Sequence, residues 1–305
     1  MPNEETTKNA PAGAKPYKRK RGDRKEGRWI RSLSPVNQLM AFIMPQRNDA
    51  LNMFRDAVDV SAAEELLREL KDQGYKNIGM LHVFLAAYVR TVASNPAINR
   101  FVSGQRVYAR HGIEVVMTVK KEMSLNSPDT VIKINYTPWD TLTEVYEKFN
   151  KTLEESKGED SNTSFDKLTK VLRVIPRPIL RGFIRLLNWL DYHGWMPQSL
   201  LKLSPFHGSF IITSMGSLAI PPIYHHIYNF GNLPVFLSFG AKRKEIYLDD
   251  DGSVKTRPMI DFTVVTDERI CDGFNYASAL RTMRRYFKNP SALLTPPETV
   301  AEDIE

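Results

Sequence analysis

Apolar positions along the chain follow two rhythms, one of three to four residues and one of two. Val36, Leu39, Met40 and Ile43 recur at helical spacing behind Ser34-Pro35, a cap and first-turn pair. Met53 to Val60 alternates like a strand, and Ser61 with Glu64 forms a capping box that opens a helix through Lys71. Gly79 to Ala93 is apolar almost all round, which predicts a buried helix ending before Asn95-Pro96. Phe101 to Val119 reads as three strands broken at Ser103-Gly104 and His111-Gly112, with Val131 to Tyr136 as another. Leu142 to Glu155 is an amphipathic helix opened by Thr141. Strands are predicted at Phe210–Thr213, Val235–Phe239, Glu245–Leu248 and Met259–Thr266. Asp250-Asp251-Gly252 makes the last two a hairpin, and Ala277–Phe287 is a closing helix. Mixed helices and strands with a final antiparallel hairpin predict an α/β two-layer sandwich on a mixed β-sheet, not a doubly wound one. No repeat of fixed period is visible.

Residues 165–203 break these rhythms. Arg173, Arg177, Arg181 and Arg185 recur every four positions among Ile179, Leu180, Phe183, Ile184, Leu187 and Leu190. Pro176 and Pro178 forbid one continuous helix, so either two segments or a basic amphipathic helix starting near Pro178 is expected. Such a helix either packs on the core with its arginines in water, the commoner case, or lies on a membrane or a partner.

Charge is concentrated at one end. The chain carries 42 Lys plus Arg against 35 Asp plus Glu, a net charge of +7. Ten basic and four acidic side chains lie in residues 1–31, so +6 belongs to that stretch and +1 to the other 274 residues. Residues 1–31 read as a disordered basic arm, residues 32–292 as the folded domain and residues 293–305 as an acidic tail. A nearly neutral body argues against nucleic acid as its partner, and only the arm suits an anionic membrane or nucleic acid. No run approaches the ~18–20 apolar residues of a membrane span, and the polar start lacks a secretory h-region. The single cysteine, Cys271, excludes intrachain disulfides and cysteine-cluster metal sites. A cytoplasmic protein is expected.

The common nucleotide, zinc-protease and serine-hydrolase signatures are missing. The adjacent His225 and His226 point to opposite sides of an extended chain and do not easily share a metal, so none is expected. The segment Asp267-Glu268-Arg269-Ile270-Cys271-Asp272-Gly273 closes a strand and enters a helix, a charged turn that is most often structural.

Four pieces occur in an order that matches one family. They are Leu33-Ser34-Pro35, Asn95-Pro96-Ala97-Ile98-Asn99, Phe210-Ile211-Ile212-Thr213-Ser214-Met215-Gly216 and Arg269-Ile270-Cys271-Asp272-Gly273-Phe274. On these, residues from about 33 to 290 resemble the catalytic domain of the dihydrolipoyl acyltransferases of 2-oxoacid dehydrogenase complexes, which share the chloramphenicol acetyltransferase-like fold. Residues 165–203 look like an insertion.

The resemblance implies CoA or acyl-CoA as co-substrate, a trimer with its site between subunits, and three catalytic parts. A His acts as general base on the thiol or hydroxyl, a hydroxyl supports the oxyanion, and an Asp four residues after the His pairs with an Arg. Asp272 matches, and Ser214 or Thr213 can supply the oxyanion donor, Ser214 being slightly preferred. Glu268 stands at the base position, and Val36-Asn37-Gln38 stands where the family has an arginine. An ordinary Glu at about 4.3 is a poor base for a thiol near 8.5, and it presents negative charge to an incipient thiolate. His225 or His226 could take over from the loop after the oxyanion strand. CoA-binding residues cannot be assigned.

Three readings follow: a CoA-dependent acyltransferase with an altered base, a non-catalytic trimeric scaffold or acyl-CoA-binding pseudoenzyme, and an adaptor acting through the basic arm. With 31 residues ahead of the fold, no lipoyl attachment site is expected, so a lipoyl group would come from another protein in trans.

Overall fold

The computed structural model describes residues 17–120, 129–157 and 175–305. Residues 1–16, Arg173 and the start of the 165–203 segment lie outside the described residues.

The main sheet has six strands in the order β2-β9-β8-β7-β5-β6. They are β2 (Leu51–Asp59), β5 (Ile113–Lys120), β6 (Asp129–Tyr136), β7 (Phe210–Ser214), β8 (Val235–Leu248) and β9 (Val254–Asp267). β7 runs parallel to β5 and β8 while the other pairs are antiparallel, so the sheet is mixed as predicted. A small antiparallel sheet joins β1 (Gly27–Trp29), β4 (Arg106–Arg110) and β3 (Arg100–Ser103). Val235–Phe239 and Glu245–Leu248, expected as separate strands, are one strand with a register shift between Phe239 and Lys242. A bulge lets a single strand bend there without losing its partner.

Side-chain alternation decides which sheet face is covered by helices. Phe210, Ile212, Leu237, Phe239, Phe262 and Val264 all point into the main core. α3 (Met80–Ser94) lies across them, with Phe84 stacked 4.5 Å from Phe239 and Tyr88 stacked 3.8 Å from Phe210. α2 (Ser61–Asp72), α4 (Leu142–Lys157) and α7 (Gly273–Lys288) flank it. On the opposite face Ile211, Phe236 and Val265 meet Ile227, from the chain after β7. Ser61 does not cap α2; it is the first helical residue, and its N–H and hydroxyl both donate to Asp59. Ser34 does cap α1 (Pro35–Ile43), accepting from Asn37 N–H at 3.3 Å.

Two expectations about the ends are corrected. From Tyr17 onward the basic stretch is part of the fold. Asp23 is buried, accepting from Tyr17, Lys20 N–H and Trp29 N–H, and β1 pairs with β4. A carboxylate satisfied by three donors organises a basic segment that has little apolar surface of its own. The acidic tail also docks: Arg100 Nε donates to Asp303 at 2.8 Å, Arg28 donates to the Asp303 and Ile304 carbonyls, and Ala301 N–H donates to Ala93 O. The 165–203 segment contains α5 (Arg177–His193) and α6 (Gln198–Leu203). α5 starts at the Pro176–Pro178 break, as expected.

Candidate active site at the end of the sheet

β9 ends at Asp267, and the chain turns through Glu268–Asp272 into α7. The turn is held from inside. Asp267 accepts from Arg269 Nε at 2.8 Å and Nη2 at 2.7 Å, and from Arg47 Nε at 3.3 Å, and all three side chains are 4% exposed or less. Arg47 also donates to the Tyr228 and Gly231 carbonyls, and Arg269 to those of Met44 and Pro45. One buried carboxylate thus ties the end of α1, the chain after β7 and the end of β9 together. Burial pushes the Arg47 guanidinium below its ordinary range, and Asp267 partly restores it. Arg47 carries no signal in the sequence: it sits in a short polar 3₁₀ turn (Arg47–Ala50), and only the fold brings it to Asp267.

Glu268 is exposed, and its N–H donates to Ala50 O. Arg269 points inward, to Asp267. Asp272 forms no ion pair among the described residues; it caps α7, accepting from Asn275 N–H at 2.9 Å and its side-chain amide at 2.8 Å. Those bonds, with Arg100 nearby, hold the Asp272 carboxyl below its usual range. The carboxylate–arginine pair expected at Asp272 is instead made by Asp267, five residues earlier at the end of β9. Cys271, beside it, is buried and its thiol is pushed up to about 12, so it is not a ready nucleophile.

The two oxyanion candidates lie on opposite faces of β7. Ser214 shares parity with Phe210 and Ile212, which face the helices. Thr213 shares parity with Ile211, on the other face. That face also carries His225, whose ring stacks on Phe236 at 4.4 Å, and Phe236 pairs with Ile211. The His225 imidazole is pulled below its ordinary range, mainly by burial and then by His226, and its buried Nε2 has no hydrogen-bond partner. His226 is exposed against the Tyr228 ring. The geometry therefore puts an imidazole with an unpartnered ring nitrogen on the same face as Thr213.

One chain does not bring Glu268 and Thr213 together. Thr213 pairs with Ser238, and Ser238 with Thr263, five residues before Glu268. At ~3.3 Å per residue the two stand roughly 16 Å apart along the strands. An apolar cavity of about 40 Å³ lies in the core between Tyr88, Thr266, Tyr276 and Met283, room for one water and not for a pantetheine arm. Among the described residues no group of three or more His, Cys, Asp or Glu could hold a metal. No helix among them is long and apolar enough to cross a membrane.

Residues 200–295 match the family of 2-oxoacid dehydrogenases acyltransferase, catalytic domain. No curated protein sequence matches the chain. Among solved structures the chain is similar to the cubic core of a pyruvate dehydrogenase multienzyme complex, with TM-score 0.56 and 13% identity over 85% of this chain and 88% of that one. It is equally similar to a dihydrolipoamide acetyltransferase of Azotobacter vinelandii, with TM-score 0.56 and 13% identity over 86% and 93%. A serine and two residues four positions apart, a histidine and an asparagine, have been investigated in the catalytic mechanism of that enzyme. A chloramphenicol acetyltransferase matches with TM-score 0.52 and 11% identity over 83% and 94%. The fold is thus that of the dihydrolipoamide acetyltransferase catalytic cores and of chloramphenicol acetyltransferase.

Proposed function

We propose that the protein transfers an acyl group between coenzyme A and a thiol or hydroxyl acceptor, as a homotrimer in which neighbouring copies complete each site. The observation that carries this is the separation of Glu268 from Thr213 in one chain, on a fold shared with the cubic core of a pyruvate dehydrogenase multienzyme complex. Apolar residues around the turn support the assembly: Phe274 is 81% exposed, and Val36, Leu39, Phe42 and Ile43 of α1 are 55–70% exposed. Glu268 and Asp272 stand four apart, like the histidine and asparagine of the Azotobacter enzyme.

In this reading a base takes the proton from the acceptor, which attacks the thioester carbonyl. The oxyanion accepts a hydrogen bond from the Thr213 hydroxyl, and collapse releases the CoA thiol, reprotonated by the same base. Two groups compete for the base. Glu268 serves only if a facing copy covers it. His225 is already half-buried on the sheet face that carries Thr213 and presents a free ring nitrogen.

Glu268 also favours a second reading, a scaffold that keeps the fold without the chemistry. CoA release from acetyl-CoA with dihydrolipoamide or chloramphenicol separates the two. Wild-type turnover that Thr213→Val lowers ~100-fold, and that either Glu268→Gln or His225→Ala abolishes, supports the enzyme. Turnover that appears only in Glu268→His supports the scaffold. Sedimentation showing a monomer at every concentration would remove the shared site.

A further inference from the structure

α5 (Arg177–His193) is the longest helix described, and it buries none of its 17 residues. At 100° per residue its side chains fall into two arcs. Leu180, Phe183, Leu187 and Leu190 lie half-buried toward the body. The apolar arc continues past that contact into solvent, with Ile179 62% exposed, Leu186 50% and Trp189 49%. Arg177, Arg181 and Arg185 form the other arc with Asn188 and Tyr192, and all three arginines are exposed without an ion pair among the described residues.

The C-terminal end of the helix is pinned in place. Gly194 closes it in the left-handed conformation, and Trp195 N–H donates to Leu190 O at 2.8 Å. Trp195, 59% exposed, packs edge-on against Trp189 at 5.1 Å. The basic segment docks beside this aromatic pair: Arg24 donates to Tyr192 O at 2.5 Å and Lys25 to Met196 O at 2.8 Å. Lys18, Arg19, Lys20 and Arg21 of the same segment are exposed. Two stretches far apart in sequence thus meet at the end of α5, one exposing cations and the other exposing both arginines and aromatic and aliphatic side chains.

We propose that this surface docks on an anionic lipid bilayer, with α5 in the plane of the interface. Ile179, Leu186, Trp189 and Trp195 enter the headgroup boundary, and the arginines of α5 with Lys18–Arg21 face lipid phosphates. Both halves of the surface select this occupant. Nucleic acid would satisfy the cations and leave the exposed Ile, Leu and Trp in water. A second copy, paired through the same patch, would set arginine rows against arginine rows. A charged interface over hydrocarbon satisfies both. This goes beyond acyl transfer and does not depend on it.

Flotation of the full chain with vesicles tests the proposal, comparing phosphatidylcholine alone with a phosphatidylserine–phosphatidylcholine mixture. Binding is expected only to the mixed vesicles, with a blue shift of tryptophan emission. Each arginine near an anionic surface is worth about fivefold in affinity, so Arg177→Gln/Arg181→Gln/Arg185→Gln should weaken binding roughly 100-fold. Leu186→Ser/Trp189→Ser should weaken it while leaving the far-UV spectrum and acyl-transfer activity unchanged, which shows that the fold is intact. Absence of binding to the mixed vesicles at physiological salt would overturn the idea. So would binding that both variants leave intact, capture of duplex DNA in place of vesicles, or a change in the number of subunits as the only effect of Leu186→Ser/Trp189→Ser.

Discussion

Asp267→Asn is the most informative single change at the end of the sheet. The substitution keeps the size of the side chain and removes its charge. Arg269 loses a two-bond partner at 2.8 and 2.7 Å, and Arg47 loses its 3.3 Å contact, while both guanidinium groups stay 4% exposed. The Asn amide can offer one oxygen, and its NH2 group faces donors. Breaking a buried pair from one side costs about 3–5 kcal/mol, because an uncompensated charge is left behind. Here two cations share one anion, and carbonyls of Tyr228, Gly231, Met44 and Pro45 relieve them in part. A loss of about 3–5 kcal/mol is therefore expected, a large share of a typical total of roughly 5–15. Urea unfolding followed by tryptophan emission measures it, with an unchanged slope confirming that the same surface is exposed. Adding Arg47→Met to Asp267→Asn should recover about 1–3 kcal/mol, since one stranded cation is gone. A loss below about 1 kcal/mol for Asp267→Asn would refute the view that this carboxylate ties the three chain segments together.

Three further outcomes are expected. His82 is 5% exposed, packs against Tyr146 and Phe149, accepts from Gly79 N–H, and is lowered to about 4 by burial. The unfolded chain then binds the proton first, so stability is full above about pH 6.5 and falls by about 3 kcal/mol as pH drops toward 4; unfolding as a function of pH should lose that slope in His82→Leu. Gly231 has φ +87°, and a Cβ there would lie 2.0 Å from Phe206 O, so Gly231→Ala should cost at least about 2 kcal/mol. Gly252, at φ +78° with nothing within 4 Å, should cost about 1 kcal/mol when changed to Ala, and equal thermal melting of the two variants would refute the packing argument.

How much of this was legible in the chain depends on the range of the forces involved. Periodicity predicted nearly every element of the body, and four short motifs in order pointed to the chloramphenicol acetyltransferase-like fold, because the burial of alternating or helically spaced residues is written locally. Face and partner were not. Thr213 and Ser214 are neighbours that sequence treats alike, and strand parity alone puts Thr213 on the face that carries His225. Asp272 looked like the paired carboxylate, but the pair formed at Asp267 because Arg47, from a turn with no pattern, is delivered there by the fold. The basic stretch read as a disordered arm and the acidic end as a tail. Asp23 with its three donors, and Asp303 against Arg100, fold them in through contacts between residues far apart in sequence. The sequence by itself determined the elements, the layers and the identity of Glu268. Tertiary structure decided which charges are buried, which face is open and which apolar arc of α5 is left in water, since each depends on what lies opposite.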